Sequence, residues 1–241
     1  DKTLCEAMRY SLTAGGKRLR PILLMAAADA VGGEGSKYLT TACAIEMIHT
    51  YSLIHDDLPA MDNDEYRRGK LTTWKVYGEC MAILAGDGLL NFAFETASKA
   101  FRMVDKECGT DPAQQLKTYR AVGRSMQILS KKAGIYGMIG GQTADIEAEG
   151  RNDLTEELLL FIHEHKTAAL MECAMMIGAA LAGASQSDIE KMERAASNIG
   201  IAFQIQDDIL DITSTTEVLG KPVGSDEKNH KLTYVTLHGI E

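Results

Sequence analysis

Two clusters of aspartates are the residues of this sequence most able to do chemistry. Asp56 and Asp57 follow an apolar run from Ala42 to Ile54, which is typical of a buried helix. Pro59 disfavours continuation of that helix, so we expect the chain to bend there and bring Asp62 back toward the pair. Carboxylates held this close repel one another unless a cation lies among them, and Mg²⁺ binds such oxygens together with water and substrate phosphates.

A second cluster lies far along the chain, in a segment that runs from Phe203 to Asp211. Asp207 and Asp211 are four residues apart and so share one face of a helix, with Asp208 beside them. One acidic cluster at a helix end is more often a cap or a solvated face. Two such clusters, each following an apolar helical segment, instead indicate a site that binds divalent metal ions.

Basic residues accompany both clusters. Lys17 and Arg20 follow two glycines and come just before Pro21, where we expect a helix to begin. Backbone amides and cationic side chains can converge on phosphate at such a position. Arg67 and Arg68 follow the first acidic cluster, and the guanidinium fork matches a phosphate bidentately. The simpler interpretations are a solvated run of charges in the first case and neutralisation of the aspartates in the second.

These motifs resemble, in residue type, order and spacing, those of the trans-isoprenyl diphosphate synthases, and most closely the bacterial farnesyl and geranylgeranyl diphosphate synthases. The segment 15–21 and Arg67-Arg68-Gly69 carry the resemblance beside the two aspartate motifs, and it extends from about Gly15 to the end of the chain. It implies an all-α fold, a single large helical bundle around a central substrate cavity, with residues 1–241 forming one domain. It also implies a homodimer and three Mg²⁺ ions held between the two acidic clusters, by Asp56, Asp57, Asp62, Asp207, Asp208 and Asp211.

The resemblance assigns further residues to the two substrates. Isopentenyl diphosphate is expected at Lys17, Arg20, His49 and Arg68. The allylic diphosphate, dimethylallyl or geranyl, is expected at Arg67, Lys166, Thr167 and Lys221, with Gln142, Asp145, Gln204 and Lys231 as further cavity residues. From the residues alone, His49 would be a core histidine and Lys166 a surface lysine.

The reaction implied is a head-to-tail condensation. The allylic carbon–oxygen bond breaks, the double bond of isopentenyl diphosphate attacks the resulting cation, and a proton is lost to the released diphosphate. Tyr51 and Ser52, one turn before the first aspartates, are placed to meet the growing tail, although Tyr51 could instead only pack against a neighbouring helix. The resemblance implies that an aromatic residue at about this point, or the pair Pro59-Ala60 inside the first motif, limits growth. We therefore predict farnesyl diphosphate as the main product, with geranylgeranyl diphosphate as the alternative.

Two other functions share parts of this pattern. A class I terpene cyclase also has an aspartate-rich metal site, but it usually carries one such cluster and lacks an isopentenyl site. A non-catalytic subunit of the family would be expected to have lost aspartates or phosphate-binding basic residues. The retention of both features favours the transferase.

Composition limits the remaining possibilities. The 241 residues are 45% hydrophobic with only four prolines, enough for one large helical core. A formal net charge of -9 argues against a nucleic-acid binder.

Five scattered cysteines without a CxxC pair, and no visible signal peptide, favour a cytoplasmic protein. The apolar run 168–184 is short for a membrane span, so we expect a core helix there. Members of the resembled family extend beyond both ends, so we expect a chain that is incomplete at one or both.

The periodicity predicts how helices position these residues. We expect helices over 22–31, from about Lys37 to Asp57, and over Gln186 to Ile212. The segment 76–104 reads as one or two helices with a kink at Gly86 and Gly88, and 113–149 as a long helical region broken near 134–141. Leu71 and Trp74 depart from the residues usual in the resembled family just after the arginines.

Overall fold

The computed structural model describes residues 1–151, 153, 155–213, 233–235 and 239, with the side chains of 105–107 left aside. Within this part the chain forms eleven α-helices. They are α1 (Lys2–Leu12), α2 (Leu19–Ala30), α3 (Leu39–Asp56), α4 (Thr73–Tyr77), α5 (Glu79–Ser98), α6 (Arg102–Glu107), α7 (Pro112–Ala133), α8 (Met138–Ala148), α9 (Glu156–Ile162), α10 (Ala169–Leu181) and α11 (Gln186–Thr213). Short 3-10 turns at Gly35–Tyr38 and Lys99–Phe101 and a π-helix at His163–Ala168 connect some of them.

Two helices form the centre of the bundle. α3 packs mainly against α5 and α2, and α10 packs against α2, α7 and α11. Every residue of α10 except Met175 is buried, which confirms the prediction of a core helix rich in small residues. Gly178 allows α10 to approach α2 closely, since a Cβ there would lie 2.1 Å from the Leu24 carbonyl oxygen.

One acidic residue lies inside the apolar run of α10. Glu172 is 8% exposed and pairs with Lys132 of α7, whose ammonium group also lies 2.7 Å from Glu193 of α11. A buried carboxylate requires such a partner. This ion triad therefore fixes α7, α10 and α11 to one another. No helix in the described part of the chain is long and apolar enough to cross a membrane.

A small hairpin, β1 (Tyr66–Arg67) and β2 (Lys70–Leu71), follows the first acidic cluster. Arg68 and Gly69 both have positive φ, at 54° and 74°, as a type I′ turn requires. Trp74 donates its indole N–H to the Asp64 carbonyl oxygen at 2.8 Å, and Thr72 donates to the same oxygen. These bonds explain how the chain accommodates tryptophan here.

The predicted kink at Gly86 and Gly88 was wrong. α5 continues through both glycines, and the chain breaks instead at Gly78, where φ is 85°. Gly86 serves packing, because a Cβ there would lie 2.1 Å from Nε2 of His55. The predicted break between α7 and α8 is confirmed at residues 134–137.

Candidate active site

The first acidic cluster lies where α3 ends and the chain turns back. The Asp62 backbone N–H donates to the Asp56 carbonyl oxygen at 2.8 Å, and the Asn63 N–H donates to the Leu58 carbonyl oxygen at 3.0 Å. Asn63 has a φ of 53°, in the left-handed region that asparagine tolerates. The predicted return of Asp62 toward Asp56 and Asp57 is therefore confirmed.

Asp56 and Asp57 differ in their surroundings. Asp57 is 4% exposed and accepts a hydrogen bond of 2.6 Å from Nε of Arg67, which also approaches Asp64. Burial raises the pKa of Asp57 to about 7, against the lowering influence of Arg67. Asp56 is only partly buried and accepts a 2.9 Å hydrogen bond from Nε2 of Gln142 on α8. Asp56 is thus the more accessible carboxylate of this pair.

The second acidic cluster lies near the end of α11. Asp207 is partly exposed, whereas Asp208 and Asp211 are 3% and 2% exposed. Asp208 accepts hydrogen bonds from Nε2 of Gln204 at 2.9 Å and from the Tyr234 backbone N–H at 2.8 Å. His163 Nε2 lies 3.8 Å from Asp208, and burial lowers the pKa of His163 to about 4, so its imidazole stays neutral.

The π-helix His163–Ala168 joins α8 to α11. The Lys166 ammonium group is hydrogen bonded to Asp145 of α8, and the Thr167 hydroxyl donates to Oε1 of Gln204 at 2.9 Å. Consecutive residues therefore reach two different helices. Since Gln142 on α8 also binds Asp56, these bonds connect the first acidic cluster to the second. π-Helical segments occur frequently at functional sites.

Two glycines make this junction possible. A Cβ at Gly141 of α8 would lie 2.1 Å from the backbone nitrogen of Lys166. A Cβ at Gly200 of α11 would lie 2.4 Å from Cβ of Ala168. The π-helix is therefore packed between two helices at positions where only glycine fits. No simple periodicity in the sequence predicts this π-helix. The available signal was a glycine in each of the two neighbouring helices, Gly141 and Gly200, which indicates close packing there.

A partly buried basic cluster of Arg20, His49 and Arg68 lies next to the first acidic segment. Burial lowers the pKa of Arg20 to about 10, with Glu46 acting in the opposite direction and Arg68 adding to the lowering. Nε of Arg20 is buried and has no hydrogen-bond partner among the described residues. Burial and the neighbouring arginines, Arg20 first, hold the pKa of His49 well below its usual range. The arrangement of Arg20, His49 and Arg68 suits an anion.

Arg18 belongs to the basic run before Pro21, but the sequence alone assigned it no individual role. Nη1 of Arg18 lies 2.5 Å from Oε1 of Glu46, and Nη2 is hydrogen bonded to the Leu12 carbonyl oxygen. Arg18 also has a φ of 51°, so it fixes an unusual turn before α2. The available signal was Glu46, the one acidic residue in the apolar part of α3. Arg18 is placed to hold the basic loop in position.

Lys17 contacts α11. Its ammonium group sits 4.7 Å from the ring centroid of Phe203 on α11, within the range of a cation–π interaction. Arg68 donates to the Gly15 carbonyl oxygen, and a Cβ on Gly16 would lie 2.6 Å from the Arg68 guanidinium carbon. The loop at Gly15 and Gly16 thus contacts Arg68 of the hairpin. Lys17, the next residue, contacts α11, the helix of the second acidic cluster.

No group of three acidic, histidine or cysteine side chains in the described part of the chain is arranged to hold a metal ion by itself. The donor set nevertheless fits Mg²⁺, which is commonly held by one or two carboxylates with water and substrate phosphates. Asp56, Asp62 and Asp207 are partly exposed carboxylates of this kind. Roles for Asp57, Asp208 and Asp211 as metal ligands stay predictions.

The remaining predicted residues divide into two groups. Tyr51 is 5% exposed, packs edge-on to His55, and has a hydroxyl without a partner among the described residues. Ser52 is partly buried and donates to the His49 carbonyl oxygen. Lys221 and Lys231 lie outside the described residues.

A comparison with known proteins gives a consistent result. The polyprenyl synthetase family model matches residues 1–241. The chain is 50% identical to the farnesyl diphosphate synthase of Geobacillus stearothermophilus, covering 97% of this chain and 74% of that protein. It is also 50% identical to the heterodimeric geranylgeranyl pyrophosphate synthase large subunit 1 of Arabidopsis thaliana, over 98% of this chain and 61% of that protein.

A solved structure extends this to the fold. A geranyltransferase from Helicobacter pylori, complexed with magnesium and isoprenyl diphosphate, matches with a TM-score of 0.81 at 34% identity, over 98% of this chain and 74% of that one. The predicted all-α isoprenoid synthase fold is confirmed. The chain thus spans between about three fifths and three quarters of the relatives it matches. It belongs to the polyprenyl synthetase family.

Proposed function

We propose that the protein is a prenyltransferase that condenses isopentenyl diphosphate head to tail with an allylic diphosphate. The observation that carries the proposal is the connection between the two acidic segments: Gln142 binds Asp56, and the π-helix binds both α8 and α11. A diphosphate between Asp56 and Asp207 would meet Lys166 and Thr167 from the same junction. The family membership supports this class of reaction.

The allylic diphosphate would be held by cationic side chains that are already pre-organised. Arg67 is fixed by Asp57 and Lys166 by Asp145, so little further ordering is needed on binding. As the carbon–oxygen bond breaks, the leaving diphosphate gains negative charge, and donors aimed at it stabilise that charge. Mg²⁺ held by Asp56, Asp62 and Asp207 would supply further charge neutralisation of the same leaving group.

Isopentenyl diphosphate would bind the cluster of Arg20, His49 and Arg68. The buried Nε of Arg20 needs a hydrogen-bond acceptor, and a diphosphate oxygen would meet this need. The neutral His49 can donate one hydrogen bond without adding to the crowded positive charge. With its diphosphate held here, isopentenyl diphosphate attacks the allylic cation through its double bond, and a new carbon–carbon bond forms. The condensed intermediate then loses a proton to the released diphosphate. No aspartate is required as a general base.

Product length forms a finer part of the proposal. Tyr51 precedes Asp56 by five residues and is buried. Burial, with a further contribution from nearby Asp56, raises the pKa of Tyr51 to about 12. A bulky side chain this near the diphosphate end would limit growth, so we propose farnesyl diphosphate as the main product. Geranylgeranyl diphosphate is the second candidate, because several relatives at about 50% identity bear that name.

A homodimer and a cytoplasmic location complete the proposal. α5 leaves Ile83, Leu84 and Phe92 exposed at 44%, 52% and 37%, and large exposed apolar side chains on one helix are typical of an interface. The five cysteines are free thiols, as in a reducing compartment.

The proposal can be tested with purified protein, Mg²⁺, labelled isopentenyl diphosphate and each allylic diphosphate in turn. We expect elongated products with dimethylallyl and geranyl diphosphate, mainly of fifteen carbons. Cyclised hydrocarbon from an allylic diphosphate alone would instead support a terpene cyclase. Sedimentation of the same sample checks the dimer.

A further inference from the structure

We infer that Asp208 is a positioning residue, which fixes the segment 233–235 and the Gln204 amide on α11. This revises the metal-ligand role that the sequence suggested for Asp208. Its catalytic consequence rests on the proposed function, whereas its structural content does not.

The surroundings of Asp208 leave little access for a hydrated ion. Only 3% of the residue is exposed, and both carboxylate oxygens accept hydrogen bonds, Oδ1 from Gln204 and Oδ2 from the Tyr234 N–H. Thr233, next to Tyr234, is 6% exposed, so the tethered segment is itself packed. A metal ion that bound Asp208 would compete with these donors for the same two oxygens.

Asp208 also determines how Gln204 is oriented. Gln204 donates through its NH₂ to Oδ1 of Asp208 at 2.9 Å. Oε1 of Gln204 then faces the Thr167 hydroxyl, which donates to it at 2.9 Å. Thr167 belongs to the π-helix that also presents Lys166. Asp208 therefore acts on the proposed allylic diphosphate site through Gln204 and Thr167, without touching the substrate.

Asp207 has the opposite character. Successive residues of an α-helix point about 100° apart, so Asp207 and Asp208 cannot share one environment. Asp207 is partly exposed, and Gln204 and Tyr234 bind Asp208 rather than Asp207. Of the two adjacent carboxylates, Asp207 is the one that solvent and a hydrated ion can approach.

Asp208→Asn tests this positioning role. The substitution keeps the shape but leaves only one oxygen, so the NH₂ group of the new amide must face either the Gln204 NH₂ or the Tyr234 N–H. One hydrogen bond is lost in either orientation. Asp207→Asn is the matched control, because it makes the same chemical change on the adjacent residue.

Two measurements on the full chain test the inference. Hydrogen–deuterium exchange reports the tether at Tyr234 and Val235, and calorimetric titration with Mg²⁺ and inorganic diphosphate reports the metal site. Asp208→Asn should speed exchange at 234–235 by about tenfold or more and raise KM for the allylic diphosphate more than it lowers kcat. Its affinity for Mg²⁺ with diphosphate should stay within about twofold of wild type. Asp207→Asn should weaken that affinity by at least about tenfold and leave the exchange unchanged.

A tenfold loss of Mg²⁺ and diphosphate affinity in Asp208→Asn would overturn the inference, and so would unchanged exchange at 234–235. If Asp208→Asn does not fold, Asp208→Glu keeps the charge while displacing the oxygens by one methylene, and the same two readouts apply. Failure of Asp207→Asn to weaken metal binding would count against the proposed function, while the exchange data would still judge the tether.

Discussion

Gln142 of α8 donates a 2.9 Å hydrogen bond to the carboxylate of Asp56 at the C-terminal end of α3. These residues are 86 positions apart in the chain, yet the bond sets the distance between the first acidic cluster and the helix that carries Asp145. Asp145 in turn binds Lys166, so the position of the lysine depends on the position of α8. The candidate site is therefore assembled by helix packing, not by any single loop.

The two proposed diphosphate sites should separate by mutation. We expect Arg20→Ala mainly to raise KM for isopentenyl diphosphate and Lys166→Ala mainly to impair use of the allylic substrate. Loss of a charge-assisted hydrogen bond costs about 1.5–3 kcal/mol, roughly ten- to a hundredfold. Lys131→Ala, which removes an exposed charge on α7, controls for the change in net charge. Equal effects of both variants on both substrates would show that the sites are assigned wrongly.

The glycine junction predicts opposite effects for two similar substitutions. Gly200→Ala should destabilise the fold by about 1–3 kcal/mol, because the new methyl group would overlap Ala168 of the π-helix. Gly123→Ala should stabilise it by about 0.5–1 kcal/mol, since nothing lies within 4 Å of a Cβ there and alanine favours helix. Denaturant unfolding measures both. Equal changes in the two variants would mean that α11 does not pack as tightly as described.

His49 predicts how stability changes with pH. The pKa of His49 is lowered in the fold by burial and by nearby arginines, so the unfolded chain binds a proton near pH 6.5 while the folded chain does not. Stability from the neutral imidazole is thus fully present above pH 6.5 and decreases as the pH falls, by up to about 1.4 kcal/mol per unit.

His163, whose pKa is lowered to about 4 by burial, adds a dependence of the same sign between pH 6.5 and 4. Asp57, whose pKa burial raises to about 7, acts in the opposite direction over the same range, so the test is the difference between variant and wild type. Relative to wild type, His49→Gln should therefore lose less unfolding free energy, or gain more, between pH 7 and 5. An identical pH profile in wild type and His49→Gln would exclude a buried neutral histidine at this position.

Tyr51 tests the proposed product length. Tyr51→Ala should shift products to twenty carbons or longer, and the cavity left behind should cost about 3–5 kcal/mol of stability. Tyr51→Phe is the matched control: it keeps the ring and removes only a buried hydroxyl that has no partner among the described residues, so products and stability should stay near wild type. Chromatography of the products decides. A folded, active Tyr51→Ala enzyme with an unchanged product profile would rule out Tyr51 as the floor of the cavity.

The sequence predicted those parts of the site that depend on local chain geometry. Pro59 correctly indicated the turn that returns Asp62 to Asp56, and the glycines near 134–141 correctly indicated the break after α7. The π-helix could not be predicted in this way, because its register depends on Gly141 and Gly200 from two other helices. Proximity along the chain does not reveal such contacts.

Hydrogen bonds between distant residues also could not be predicted from the sequence. Arg18 and Glu46 are 28 residues apart, and Asp208 and Tyr234 are 26 apart, so no spacing rule relates them. The sequence also treated Asp207 and Asp208 alike, since both are aspartates in one motif. Only burial distinguishes the exposed carboxylate from the one fixed by hydrogen bonds.

The most direct test of the central claim is the single-turnover rate of condensation at saturating Mg²⁺ in Asp56→Ala and Asp207→Ala. Each change should lower the rate by several orders of magnitude and leave the fold intact. Relief of carboxylate repulsion should give Asp207→Ala equal or higher thermal stability in the absence of metal, whereas in Asp56→Ala the lost hydrogen bond from Gln142 offsets that gain. Glu190→Ala, an exposed carboxylate on the same helix as Asp207, should keep the wild-type rate. Near-normal rates in both aspartate variants would contradict the claim that the two acidic segments act on one diphosphate.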